Sequence, residues 1–168
     1  MSSKWCLNQA RARNYDALDE GDKGLVHWIS EILWREFYRH IIYNFPRVSM
    51  GKAFQEHFEQ VPWENNQDFI EAWKHGRTGI PIVDAGMRQM IETGWMHNRL
   101  RMIVAMFLSK NLMVDWHIGE AFFMQHLIDG DIASNNGGWQ WSASTGTDAA
   151  PYFRCLLYTS PSPRDRSL

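Results

Sequence analysis

Between Leu25 and Asn44 the apolar residues fall at 25, 28/29, 32/33, 37 and 41, the spacing that turns one side of an α-helix into a core. No stretch sustains the period-two alternation of a half-buried strand, so this helical spacing constrains the fold more than any other feature. Pro46 closes the first long helix, because the residue before a proline disfavours helical backbone. The same reading predicts a shorter helix over Ala53 to Gln60 and another over Gln67 to Lys74, closed by Gly76. A further helix is predicted from Pro81, suited to a first turn, to Thr93, with Gly94 as its stop. Two more are predicted, over Asn98 to Met113 and over Asp115 to Leu127. Short connections and the absence of internal repeats make an all-α cluster the architecture this pattern supports.

At 168 residues and 45% hydrophobic content, the chain suits one compact domain and falls short of two. No run of about 18 apolar residues occurs, so no membrane span is expected. The 17 Lys and Arg against 19 Asp and Glu leave a net charge of −2, and any polyanionic partner must therefore be met by a local basic face. Cys6 and Cys155 are too few and too far apart for a disulfide framework or a thiolate metal site. Met1 to Arg13 lacks the features of a signal peptide, and an intracellular, soluble location is expected. Residues 155–168 carry neither helical nor strand period and read as a disordered or foreign tail resembling translated adapter sequence, which confines the fold reading to residues 1–154. Nine tryptophans beside nine phenylalanines and five tyrosines exceed what packing such a core requires.

Polar chemistry lies on second faces of the predicted helices. Glu31, Trp34, Arg35 and Tyr38 are spaced i, i+3, i+4, i+7 and share a face, which suits either a binding surface or a solvated Arg–Glu pair beside an indole. Asn98, Arg101, Met102 and Ala105 repeat that spacing, with Arg99 turned aside. An amide, a cation and a thioether on one stripe suit a pocket for a flat polar ligand, or an ordinary interhelical polar contact. The segment Leu127 to Trp141 (LIDGDIASNNGGWQW) is the least ordinary in the chain. Its Asp129 and Asp131 flank Gly130, but the terminal Glu of a calcium loop is missing and no metal site is expected. Carboxylates that accept from ribose or ring N–H groups, with glycines that admit a planar cofactor, give one account of the segment; a helix–turn–helix corner is the alternative. Neither a glycine loop for nucleotide phosphates nor a serine nucleophile elbow occurs. The seven histidines do not pair on one face, and His97 and His126 read as polar packing residues.

Five runs carry a resemblance that covers nearly all of residues 4–154. They are Trp34 to His40 (WREFYRH), Thr93 to Met102 (TGWMHNRLRM), Leu127 to Asp131 (LIDGD), Asn135 to Trp141 (NNGGWQW) and Ser144 to Asp148 (STGTD). They resemble the flavin-binding helical domain of DNA photolyases and cryptochromes, and are most similar to cyclobutane pyrimidine dimer photolyases. The resemblance implies a multi-helix FAD-binding domain, truncated at both ends, that acts on a pyrimidine dimer flipped out of DNA; photolyases are a known case of enzymes that work on an extruded base. It implies FAD contacts from Trp28, Asp129, Gly130 and Asp131, with Arg101 paired to the first of those carboxylates and Asn135 facing flavin N5. An amide at that last position is the choice of repair enzymes rather than of signalling proteins.

By the same resemblance, Glu31 hydrogen-bonds the dimer, Asn98 and Met102 line its pocket, and Trp34 and Trp141 pack against its thymines. Arg35, Arg39 and Arg99 correspond to phosphate contacts, the local basic rim that the net charge conceals. Trp63, Trp116 and Trp139 correspond to a chain of three indoles that carries an electron from the surface to photoexcited flavin. The implied reaction is light-driven splitting of the dimer by an electron from reduced FAD, with damaged DNA as partner and a monomeric protein. The family's antenna domain and its diphosphate-binding turn fall outside the residues that match, so weak FAD retention by the isolated chain is expected. The alternative within the family is a cryptochrome-type photoreceptor without repair activity.

Overall fold

The computed structural model describes residues 2–147; the expected tail over 155–168 and the motif residue Asp148 lie outside them. The described residues form seven α-helices and no strand. None of these helices is long and apolar enough to cross a membrane. The chain divides into two compact units, Met1–Pro46 and Arg47–Leu168.

The first unit is a helical hairpin. Helix α2 runs Lys23–Asn44, two residues longer at its start than the periodic span 25–44, and Asp22 caps it by accepting from the Leu25 N–H. Helix α1, Ser3–Arg13, is one that the periodicity does not announce, because Ala10 alone of its residues is fully buried. The connection is organised by Asn14. Its buried amide donates to the carbonyls of Ala17 and Glu20 and accepts from the Asp22 N–H. Gly21, at φ +102°, is required here, since a Cβ would stand 2.3 Å from Asn14 Oδ1.

The second unit holds α3 (Gln67–Lys74), α4 (Pro81–Thr93), α5 (Asn98–Met106), α6 (Trp116–His126) and α7 (Ile132–Ala143). A short 3-10 segment, Glu56–Gln60, stands where a helix was expected over 53–60, and another, Pro46–Met50, follows α2. Helix α5 packs against both α4 and α7, and α6 covers α7. The core between them contains Trp73, Met87, Met90, Val104, Leu108, Trp116, Phe123 and Trp139.

Caps close the helices as their residue types allow. Asn66 caps α3, Asp115 caps α6 and Asp131 caps α7, each accepting from a backbone N–H two or three residues on. Gly94 ends α4 in the left-handed conformation. The predicted continuous helix 98–113 breaks after Met106, where the chain widens into a π-turn over Phe107–Asn111. Lys110 Nζ then reaches the Ala143 carbonyl, so the widened turn satisfies the open end of α7.

Ahead of α4, the Asp84 carboxylate accepts from Thr78 N, Thr78 Oγ1 and Gly79 N at 2.6–3.0 Å. Burial alone would raise this carboxyl, but the hydrogen bonds and the nearby Arg88 outweigh it and hold Asp84 below its ordinary 3.8. A carboxyl depressed in the folded state stabilises fully above its unfolded value, and that stability is lost as pH falls through the folded value. Asp84→Asn should therefore cost about 1–3 kcal/mol near neutral pH and flatten the acid limb of stability, read from urea midpoints between neutrality and strong acid. An unchanged acid limb would show that the turn is held by other groups.

Candidate functional site

A cavity in the second unit lies between α5, the 127–131 turn and α7. Its walls include Asn98, Arg101 and Met102 from α5, then Asp129, Gly130 and Asp131, then Asn135, Gly138 and Trp139 from α7. Helical spacing brings the α5 residues to it, and the Arg101 guanidinium ties the two walls together. Arg101 Nη2 donates to both carboxylate oxygens of Asp129, at 2.8 and 3.0 Å, while its Nε donates to the Met96 carbonyl. Asp131 Oδ2 accepts from Ser134 N and Ser134 Oγ, which starts α7, a helix the periodicity did not predict.

On α7, residues 134, 138 and 142 are Ser, Gly and Ser, a four-residue repeat of small side chains that faces the cavity. That repeat is written in the sequence and went unread there. A Cβ on Gly138 would meet nothing within 4 Å, so the helix backbone is open toward a ligand. Asn135 Nδ2 donates to the Glu120 carbonyl at 3.0 Å, leaving its Oδ1 for another donor. The Trp139 Nε1–H is buried, and no group among the described residues accepts from it. Asn98 and Met102 are on this wall with Arg101, while Arg99 is exposed and off it. Trp141, half-buried on α7, is not among the lining residues.

The three candidate relay indoles join one hydrophobic cluster, with Trp116 and Trp139 buried and Trp63 packed at its margin. Trp139 meets Trp73 edge-on at 6.0 Å and Phe123 at 5.0 Å, and Trp73 stacks on Phe123. Trp73 donates its Nε1–H to the Val104 carbonyl. Gly119 makes the room: a Cβ there would lie 2.1–2.7 Å from the Trp139 ring. Neither Trp73 nor Gly119 was marked by sequence reasoning, since only the crossing of α6 over α7 makes that glycine matter.

A buried polar chain holds α7 from behind. Gln140 Oε1 accepts from Phe54 N, and its Nε2 donates to Asn136 Oδ1 and to the Lys52 carbonyl. Asn136 Nδ2 in turn donates to Glu120 Oε1. Burial pushes the Glu120 carboxyl up, against the opposing Asn136 hydrogen bond and the His117 charge.

In the first unit, a separate concavity is lined by Trp28, Glu31, Arg35 and Arg39 with Ser2, Ser3, Lys4 and Cys6. The face read as Glu31–Trp34–Arg35–Tyr38 divides here. Glu31 and Arg35 line the concavity, whereas Trp34 lies outside it against Phe37 and Tyr38, at 5.5 and 6.3 Å. The stripe spans about 100° of the helix, wide enough for its two margins to meet different surroundings. Arg39 is paired with Glu36.

An all-helical unit with a cavity of carboxylates, an arginine bound to one of them and an open glycine backbone fits the class of a flavin-binding helical domain. A family model described as the FAD binding domain of DNA photolyase matches residues 28–164. The chain belongs to that family.

The deoxyribodipyrimidine photo-lyase of Escherichia coli is 55% identical over 95% of this chain and 34% of its own length. The crystal structure of a class III photolyase from Agrobacterium tumefaciens superposes with a TM-score of 0.82 at 40% identity, covering 93% of this chain and 32% of that one. A Synechocystis cryptochrome does so at 0.79 and 34% identity, over 90% and 31%. The chain thus spans about a third of the length of these relatives.

The family's cofactor is FAD. The cavity suits part of it, since its lining includes a carboxylate at Asp129, the Asn135 amide and the open helix backbone at Gly138. Its volume of about 140 Å³ falls below the roughly 300–1,000 Å³ of a complete ligand site and matches one ring system rather than a whole dinucleotide. Gly119→Ala should push the Trp139 indole from its place and cost about 1–3 kcal/mol, with a changed near-ultraviolet circular dichroism spectrum. A native-like spectrum and unchanged stability would mean that α6 and α7 separate freely.

Proposed function

We propose that this chain is the flavin-binding core of a light-dependent DNA repair enzyme that splits cyclobutane pyrimidine dimers. The observation that carries the proposal is one cavity in the second unit, where Asn98, Arg101, Met102, Asp129, Asp131, Asn135 and Trp139 lie together in a chain of this family. When bound, FAD supplies the absorption of light and the electron that opens the dimer.

The protein's own part is positional and electrostatic. Arg101, fixed by Asp129 and the Met96 carbonyl, sets a positive charge beside the ring, which favours electron-rich flavin. Asp129, Gly130 and Asp131 take the polar edges of the cofactor, and Asn135 presents its amide toward the ring. Asn98 and Met102 read the lesion from the same wall. Within the first unit, Trp28 is assigned to FAD, Glu31 and Trp34 to the lesion, and Arg35 and Arg39, with Arg99 of the second unit, to DNA phosphates. Trp141 is assigned to the dimer's thymines from α7, on the resemblance alone. Trp139, Trp116 and Trp63 are assigned to the refilling of the flavin with electrons.

The test is repair of dimer-containing single-stranded DNA by the protein loaded with reduced FAD, under blue light with a dark control. Light-dependent loss of dimers is expected. Flavin photoreduction without repair would favour the second reading, a cryptochrome-type photoreceptor, to which the likeness with the Synechocystis cryptochrome points. Trp139→Phe should impair photoreduction by tenfold or more on the order expected for a lost hopping site, yet spare repair by chemically reduced protein. Glu31→Gln should lower repair severalfold while flavin stays bound; a neutral result would remove Glu31 from the lesion contacts.

A further inference from the structure

Trp116 opens α6, and the imidazole of His117 lies on it nearly face to face, with ring centroids 3.7 Å apart and planes 27° from parallel. The indole is buried, whereas the imidazole keeps an edge toward solvent. Both ring nitrogens of His117 are engaged. Nδ1 lies 2.6 Å from Asp115 Oδ1, and Nε2 lies 3.0 Å from the Gly51 carbonyl. A backbone carbonyl only accepts, so Nε2 carries a hydrogen. An ionised carboxylate likewise only accepts, so Nδ1 carries one too, and the ring is an imidazolium.

The groups that face this ring agree with that charge. From α6 and its cap they are the carboxylates of Asp115 and Glu120; from the 51–55 loop it is the Gly51 carbonyl. Burial on its own would lower the His117 value, and these partners together raise it above the ordinary 6.5. A cation therefore rests on the face of one candidate relay indole. Trp63 and Trp139 show no such partner among the ring contacts of the described residues.

We propose that His117 is a tuning residue for electron transfer through Trp116, its positive charge raising the energy of an electron vacancy on that indole so that the vacancy passes through and does not settle there. The inference rests on the proposed relay. In that relay the oxidised Trp139 takes one electron from Trp116, and Trp116 then takes one from Trp63; the original oxidant is a photoexcited flavin. No bond forms or breaks, and His117 keeps its protons throughout. The imidazolium slows the transfer onto Trp116 and speeds the transfer away from it, because a second positive charge at van der Waals distance is repelled. When His117 loses its proton at higher pH, the Asp115 carboxylate remains and the vacancy on Trp116 is favoured instead.

The test is transient absorption of tryptophan radicals after a flash, in the FAD-loaded protein, across the titration of His117. That titration is followed independently in the dark by NMR of its ring protons. The expected result is a severalfold rise in the lifetime of the Trp116 radical above the His117 value in the wild type. His117→Gln should show the long lifetime at every pH, and His117→Arg, which restores a planar cation, the short one. Equal, pH-dependent lifetimes in the wild type and His117→Gln would overturn the proposal. So would an NMR titration showing His117 neutral at pH 6. Trp116→Phe separates the two levels of argument: if photoreduction survives it, the relay reading fails, whereas if photoreduction is lost while His117→Gln changes nothing, only the tuning role fails.

Discussion

The second unit depends on the burial of one indole. Trp139 projects from α7 into the space that Gly119 leaves on α6, and there it meets the edges of Trp73 and Phe123. Aromatic edge-to-face pairs of this kind add to the burial of a large apolar area. The same side chain is also a wall of the cavity. Core packing and site geometry are thus one constraint, since shifting α6 against α7 moves the indole in both settings.

Polar groups supply what apolar packing leaves undetermined. Gln140 reaches back to Lys52 and Phe54 and passes through Asn136 to Glu120, so α7 is held in rotation as well as in depth. Each group in such a chain would be costly to leave buried and unpaired, which gives the arrangement its specificity. Asp84 does comparable work at the start of α4, and Asn14 in the loop of the first unit. On the cavity side, the Arg101–Asp129 pair fixes the angle between α5 and the 127–131 turn.

Much of the fold was legible in the sequence. The apolar period of 25–44, Gly76 behind 67–74 and Pro81 with Gly94 each act within a few residues. Helices α2, α3 and α4 run over those spans. Helix α1 was not legible, having too little buried surface to impose a pattern, and the π-turn at Phe107–Asn111 was hidden inside a period that never breaks. Of the candidate site, spacing put Asn98, Arg101 and Met102 on one face of a helix but left open whether that face met a ligand or another helix. The Ser134–Gly138–Ser142 repeat of the α7 wall was present but unread, because Gly137 and Gly138 argue locally against the helix that tertiary contacts impose.

By itself, then, the sequence determined the helical class, the sides on which the helices are apolar, and the motifs that place the chain among photolyase relatives. Periodicity states which side of a helix is buried but not what buries it. Tertiary structure decided the partners: Gly119 beneath Trp139, the Gly51 carbonyl against His117, the Phe54 amide on Gln140. Those contacts join residues 20 to 86 positions apart. Their energies depend on how helices cross, and no local stretch of chain encodes a crossing.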